Sequence, residues 1–170
     1  MQRWLNGYVT VIDRLSGAVG IAAMYLIFAM IGILLLDAIT RNVIDIPLSW
    51  CIEAAQFTLA AYYFTGGPMT LRDDDHARMD LFYERLSVRG KAWLDLVTSS
   101  CLIFYLAVLL IGAISSTEYA ISTGERRFSM WNPSMIPIKV LMCCCIVLML
   151  LQSLALVIKN INTIREPAAE

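Results

Sequence analysis

Charged residues cut this chain into apolar runs of membrane-crossing length. Asp, Glu, Lys and Arg are absent from residues 15–36, 54–71, 96–117 and 140–158, runs of 22, 18, 22 and 19 residues. A helix rising about 1.5 Å per residue needs roughly 20 residues to cross about 30 Å of hydrocarbon, so each run matches one crossing. The pattern predicts four transmembrane helices, at about 15–37, 49–68, 93–117 and 137–158, within a single membrane domain over residues 1–170. The first run is longer than a signal-peptide core and no clear small-residue cleavage site follows it, so it is expected to stay as an anchor.

The connections carry their own signals. The first is brief, with Pro47 at the expected turn between antiparallel helices. The second is expected to begin at the breakers Gly66, Gly67 and Pro68, and passes through Asp73, Asp74 and Asp75. Beyond them Met79, Phe82, Tyr83 and Leu86 repeat at the spacing of one helical face, with Arg78, Glu84, Arg85, Arg89 and Lys91 mostly elsewhere. This predicts an amphipathic interfacial helix over about 78–91, its apolar face in the headgroup boundary and Arg85 and Arg89 near anionic lipid. A solvated loop with chance periodicity is the alternative. The third connection holds Gly124, Trp131, Pro133 and Pro137 and reads as an irregular segment with an interfacial aromatic.

Composition removes whole classes of function. Of 170 residues, 59% are hydrophobic and 16% charged, against roughly 45–50% and about 25% in soluble domains, so a water-soluble globule is excluded. The net charge of −1 lacks the basic footprint of a nucleic-acid binder. Lys and Arg are retained near cytoplasmic helix ends. Both chain ends and the second connection hold nine of them, whereas the first and third connections with Lys139 hold four. The expected fold is therefore an all-α integral membrane protein with four transmembrane helices, an interfacial helix, and both termini inside.

Candidate chemistry is sparse. Five cysteines invite a membrane thiol oxidoreductase, which needs paired thiols near the oxidising face, commonly a C-x-x-C. No such motif occurs, and small apolar residues in helix packing are the simpler reading. A haem anchor needs two axial histidines, and His76 is the single histidine. The Asp73–His76 run matches no metal loop, and no phosphate-binding glycine loop or catalytic triad is present. No enzymatic activity, cofactor or metal is expected. The informative charges are Asp37, Arg41 and Glu53, because ionised groups near hydrocarbon are paired or functional. Arg41 and Glu53 lie equally far in sequence from Pro47, which predicts an Arg41–Glu53 ion pair bracing the hairpin. The functional alternative makes Glu53 the proton-coupled carboxylate of a small homodimeric drug exporter.

The run Pro47, Leu48, Ser49, Trp50, Glu53, Ala54, with Arg41 upstream and Gly66 and Gly67 downstream, resembles the small membrane subunit of tripartite ATP-independent periplasmic (TRAP) transporters, the DctQ family. The segments His76–Leu81 and Gly124 through Trp131 to Pro137 resemble the family's inner connection and outer loop. Asp37 departs from the pattern, standing where an apolar residue is expected. The resemblance implies a scaffold in a bacterial or archaeal cytoplasmic membrane that does not itself touch substrate. A large multi-helix subunit would carry the substrate and sodium sites, and a periplasmic solute-binding protein would deliver an organic acid or similar solute. Small residues, including Gly17, Ala18, Gly20, Ala22 and Ala23 in the first helix and Ala54, Ala55, Ala60 and Ala61 in the second, would pack against the partner. Arg126, Arg127 and Trp131, with Glu118 and Glu125, would help dock the binding protein. Lipid headgroup contact by Arg126 and Arg127 is the alternative.

Overall fold

In the computed structural model, which describes residues 2–43, 45–46, 48–73 and 88–165, the chain forms helices α1 (Gln2–Val43), α2 (Ser49–Arg72), α3 (Val88–Thr123) and α4 (Ile136–Arg165). No strand ladder occurs among the described residues; one isolated bridge joins Arg126 and Ser134. The helices overrun the charge-free runs, most of all at the starts of α1 and α3. Charged residues end an apolar run without ending a helix, since the backbone bonds continue into the headgroup layer. The predicted interfacial residues Met79, Phe82, Tyr83, Arg85 and Leu86 lie outside the described residues, and Arg89 falls in the first turn of α3.

Among the described residues, three helices are long and apolar enough to cross a membrane: α1 over Gly7–Val43, α3 over Trp93–Thr123 and α4 over Ile136–Ile161. The fourth helix, α2, has 24 residues, about 36 Å at 1.5 Å each, which is sufficient length. Its composition is less apolar, with Gln56, Tyr62, Tyr63 and three threonines along it. It also runs through Gly66, Gly67 and Pro68 to Arg72, correcting the expectation that these residues break it. Helices between protein neighbours tolerate such residues where packing re-satisfies the backbone. Pro68 is buried, and Gly67 faces Met149 of α4.

Packing joins α1 to α2 and α3 to α4 as hairpins, and α4 also contacts α2 and α1. Small residues line these seams, as they do where van der Waals packing rather than hydrophobicity drives association. Gly17, Gly20, Ala23 and Ala55 are buried within the chain itself, whereas Ala18 and Ala22 are exposed. The α3–α4 seam centres on Leu106, Ala113 and Ile146, with Leu102, Leu110, Met142, Met149 and Leu150 around them. Outward faces of α1 and α3 stay apolar: Tyr25, Phe28, Phe104 and Ile111 are all about 70% exposed.

Candidate functional site

Polar chemistry collects at the two ends of the bundle. At the loop end, α1 closes with the Ile46 N–H reaching the Thr40 carbonyl at 3.2 Å. Asp45 adopts φ 58°, a left-handed conformation that aspartate tolerates better than most residues. Arg41 does not pair with Glu53. Its Nη2 lies 3.2 Å from Oδ2 of Asp37, one turn back on the same helix. The physical reason is continuity: α1 stays helical to Val43, so the i,i+4 partner is already in reach, while Glu53 belongs to another helix. Asp37 thus engages Arg41, and its Oδ1 is buried without a hydrogen-bond partner.

Glu53 is used elsewhere. Its Oε2 accepts a 2.8 Å hydrogen bond from the Ser129 hydroxyl, in the loop between α3 and α4. Ser129 Oγ in turn accepts the Asn132 backbone N–H at 3.1 Å. Trp50, in the first turn of α2, packs on Trp131 with ring centroids 6.4 Å apart and a 56° tilt. Sequence reading identified Trp131 as an interfacial aromatic, but not that it meets Trp50.

The loop itself is compact. Gly124 takes φ 62° and the Glu125 N–H returns to the Ala120 carbonyl, the glycine-closed helix end in which a left-handed residue satisfies the last carbonyls. Arg127 N–H donates to Pro133 O and Met135 N–H to Glu125 O, both at 3.1 Å. Lys139 forms an ion pair with Glu125 and hydrogen-bonds the Ser116 carbonyl. From this frame Arg126, Arg127, Phe128 and Met130 project outward, all exposed, Phe128 completely. An open bowl of about 870 Å³ is lined by Tyr119, Thr123, Arg126, Arg127 and Phe128 among others.

At the terminal end, a network unforeseen in the sequence ties three helices. Asp13 of α1 accepts from Gln152 Nε2 at 2.8 Å and pairs with Lys159 Nζ at 2.9 Å, both on α4. Its backbone carbonyl receives Arg72 Nη1 of α2 at 3.4 Å. Ser16 donates to Gln152 Oε1 at 2.8 Å, with both residues almost fully buried. Tyr8 adds a hydroxyl bond to the Leu151 carbonyl. The legible signal was Gln152, an amide carrying four hydrogen-bonding positions, which with Ser153 interrupts an apolar run.

Polar contacts thus gather at the two ends of a bundle whose helices are otherwise apolar, and no group of metal ligands converges among the described residues. The family model for tripartite ATP-independent periplasmic transporters, DctQ component, matches residues 30–163. The chain belongs to the DctQ family. No match was found to a curated protein or to a solved structure. The DctQ match takes in Trp50, Glu53, the whole α3–α4 loop, Gln152 and Lys159, while Asp13 and Ser16 precede it. As a DctQ component, the chain is a small subunit of a TRAP transporter and a multi-pass membrane protein.

Proposed function

We propose that this DctQ chain braces the large membrane subunit of a sodium-coupled TRAP transporter for organic-acid-type solutes. It sits in the cytoplasmic membrane with four crossings and both termini inside, and helps dock the periplasmic binding protein. The observation that carries the bracing role is the pair of broad outward apolar faces on α1 and α3, which project Tyr25, Phe28, Phe104 and Ile111 from a bundle in which Ser16, Gln152 and Glu53 make internal contacts. Helix faces of this kind meet lipid or another helix bundle. Transported solute is bound by the large subunit, and no solute contact falls to this chain. A proton-coupled role for Glu53 receives less support, because such a carboxylate works near the bilayer centre and Glu53 lies one turn into α2, bonded to a loop.

A fourth crossing by α2 is supported by its course along α1. Its Met69 and Arg72 lie against Gly20 and Gly17, having started beside the far end of α1. Cysteines introduced at Gly7 and Ser122 should label from the inside and the outside respectively. Outside labelling at Gly7 would overturn this topology.

Docking rests on the exposed Arg126 and Arg127 beside exposed Phe128 and Met130, cations flanking apolar contact area, as in transient interfaces. Reversing both arginines to glutamate should leave the large subunit co-purifying. Uptake at limiting binding protein should fall about tenfold, more steeply at low ionic strength, as steering charges dictate. An unchanged titration would assign the arginines to lipid headgroups, and failure of the unaltered chain to co-purify with a large subunit would overturn the bracing role.

A further inference from the structure

We propose that Glu53 is a positioning residue that latches the α3–α4 loop onto the tip of the α1–α2 hairpin, so that Arg126, Arg127, Phe128 and Met130 meet the binding protein as one fixed surface. The docking clause rests on the reading above; the latch stands on its own geometry.

Two contacts tie the loop to the tip, the Glu53–Ser129 hydrogen bond and the Trp50–Trp131 ring pair, and both partners on the tip come from the first turns of α2. The polar link has a fixed sense. The Ser129 hydroxyl donates to Glu53 Oε2. The hydroxyl oxygen is then free to accept the Asn132 N–H. That second bond falls at Asn132, whose φ of 48° is a left-handed conformation that asparagine, like aspartate, tolerates better than most residues. One carboxylate therefore sets the serine rotamer, the serine sets the turn at Asn132, and that turn places Trp131 on Trp50. Arg127, whose N–H donates to the Pro133 carbonyl on the far side of this turn, inherits the same geometry.

Without the latch the loop keeps its own backbone bonds but loses its reference to α2. The presented surface then samples several positions, of which a fraction is competent to dock. Apparent affinity falls by that fraction, so a loop correctly placed one-tenth of the time raises the half-saturating binding-protein concentration about tenfold. Maximal uptake does not change, because saturating binding protein selects the competent position.

The test uses the assembled transporter, read by hydrogen–deuterium exchange over residues 125–135 and by uptake titrated with binding protein. Glu53→Ala and Ser129→Ala should each speed amide exchange in this loop and raise half-saturation about tenfold at unchanged maximal uptake. Together they should do no more than either alone. Glu53→Gln keeps an acceptor oxygen for Ser129 and should match the unaltered protein in both readouts, whereas a proton-coupled glutamate would be abolished by it. If Glu53→Ala impairs assembly, Ser129→Ala, which removes one hydroxyl, carries the same expectation. Loop exchange unmoved by Ser129→Ala, or Glu53→Gln behaving like Glu53→Ala, would overturn the latch. Faster exchange with an unmoved titration would leave the latch standing and overturn its connection to docking.

Discussion

Replacing Asp13 with alanine should loosen α1 from α4 and lower the stability of the purified subunit by about 2–3 kcal/mol, chiefly the desolvation cost of an orphaned buried donor. The carboxylate holds Gln152 and Lys159 of α4, and the same residue's carbonyl receives Arg72 of α2. The bonds themselves are not what makes the change severe, since hydrogen bonds between membrane helices average only about 0.6 kcal/mol. Nor is the ion pair: the Lys159 side chain is 40% exposed, and a pair so wet contributes less than about 1 kcal/mol. The severity comes from Gln152, which is 1% exposed. Its Nε2 would be stranded among apolar neighbours. Gln152→Leu makes the contrast, because it removes the amide that needs partners. Ser16 can then turn its hydroxyl to a carbonyl of its own helix, and Asp13 keeps Lys159. That variant should lose less than about 1 kcal/mol, as when a polar pair gives way to an apolar group of similar shape. Thermal unfolding in detergent separates the two; equal losses would mean that Asp13 is not the hub of the terminal end.

Which parts of this arrangement the sequence disclosed follows from what a one-dimensional pattern can encode. Each charge-free run falls within a helix, and for α1, α3 and α4, which are long and apolar enough to cross a membrane, the cost of placing ions in hydrocarbon is local and leaves a local record. The order of apolarity along α2 is weaker for a physical reason: much of its surface is covered by α1 and α4, and a helix shielded from lipid can carry Gln56, Thr65 and Pro68. The same logic hid the terminal network. Scanning for ions passes over Ser16 and Gln152, which are neutral, and treats Asp13 as a boundary, although Gln152 meets Asp13 and Ser16 from more than 130 positions away. Glu53 was correctly singled out as a residue needing a partner, but the partner was inferred by symmetry about Pro47. Symmetry in sequence carries no information on rotation about a helix axis. Arg41 instead found Asp37, one turn back on its own helix, and left Glu53 to the loop.

Gly20→Leu should be the most damaging substitution within α1, splaying the α1–α2 hairpin and costing about 3 kcal/mol or more, at the upper end of overpacking losses. A Cβ added at Gly20 would come within 2.6 Å of Met69 Cβ and 2.8 Å of its Cγ. The Cβ is fixed to the backbone, so no rotamer of Met69 relieves the contact, and α2 as a whole must move. Gly17 looks similar and is not: there the added atom meets the guanidinium of Arg72, the far end of a flexible chain that can swing toward the headgroups. Gly17→Ala should therefore cost little, and Gly32→Ala, with nothing within 4 Å, should be neutral or slightly stabilising through the better helix propensity of alanine. The effect of Gly20→Leu should also travel. Because α2 is a single helix from Ser49 to Arg72, tilting its Met69 end away from α1 pivots the Trp50 and Glu53 end against the α3–α4 loop. Loop exchange over residues 125–135 should then rise in Gly20→Leu although the substitution lies at the opposite end of the bundle. A destabilised Gly20→Leu subunit with unaltered loop exchange would show that the hairpin yields locally, by bending at Gly66 to Pro68, instead of moving as a rigid lever.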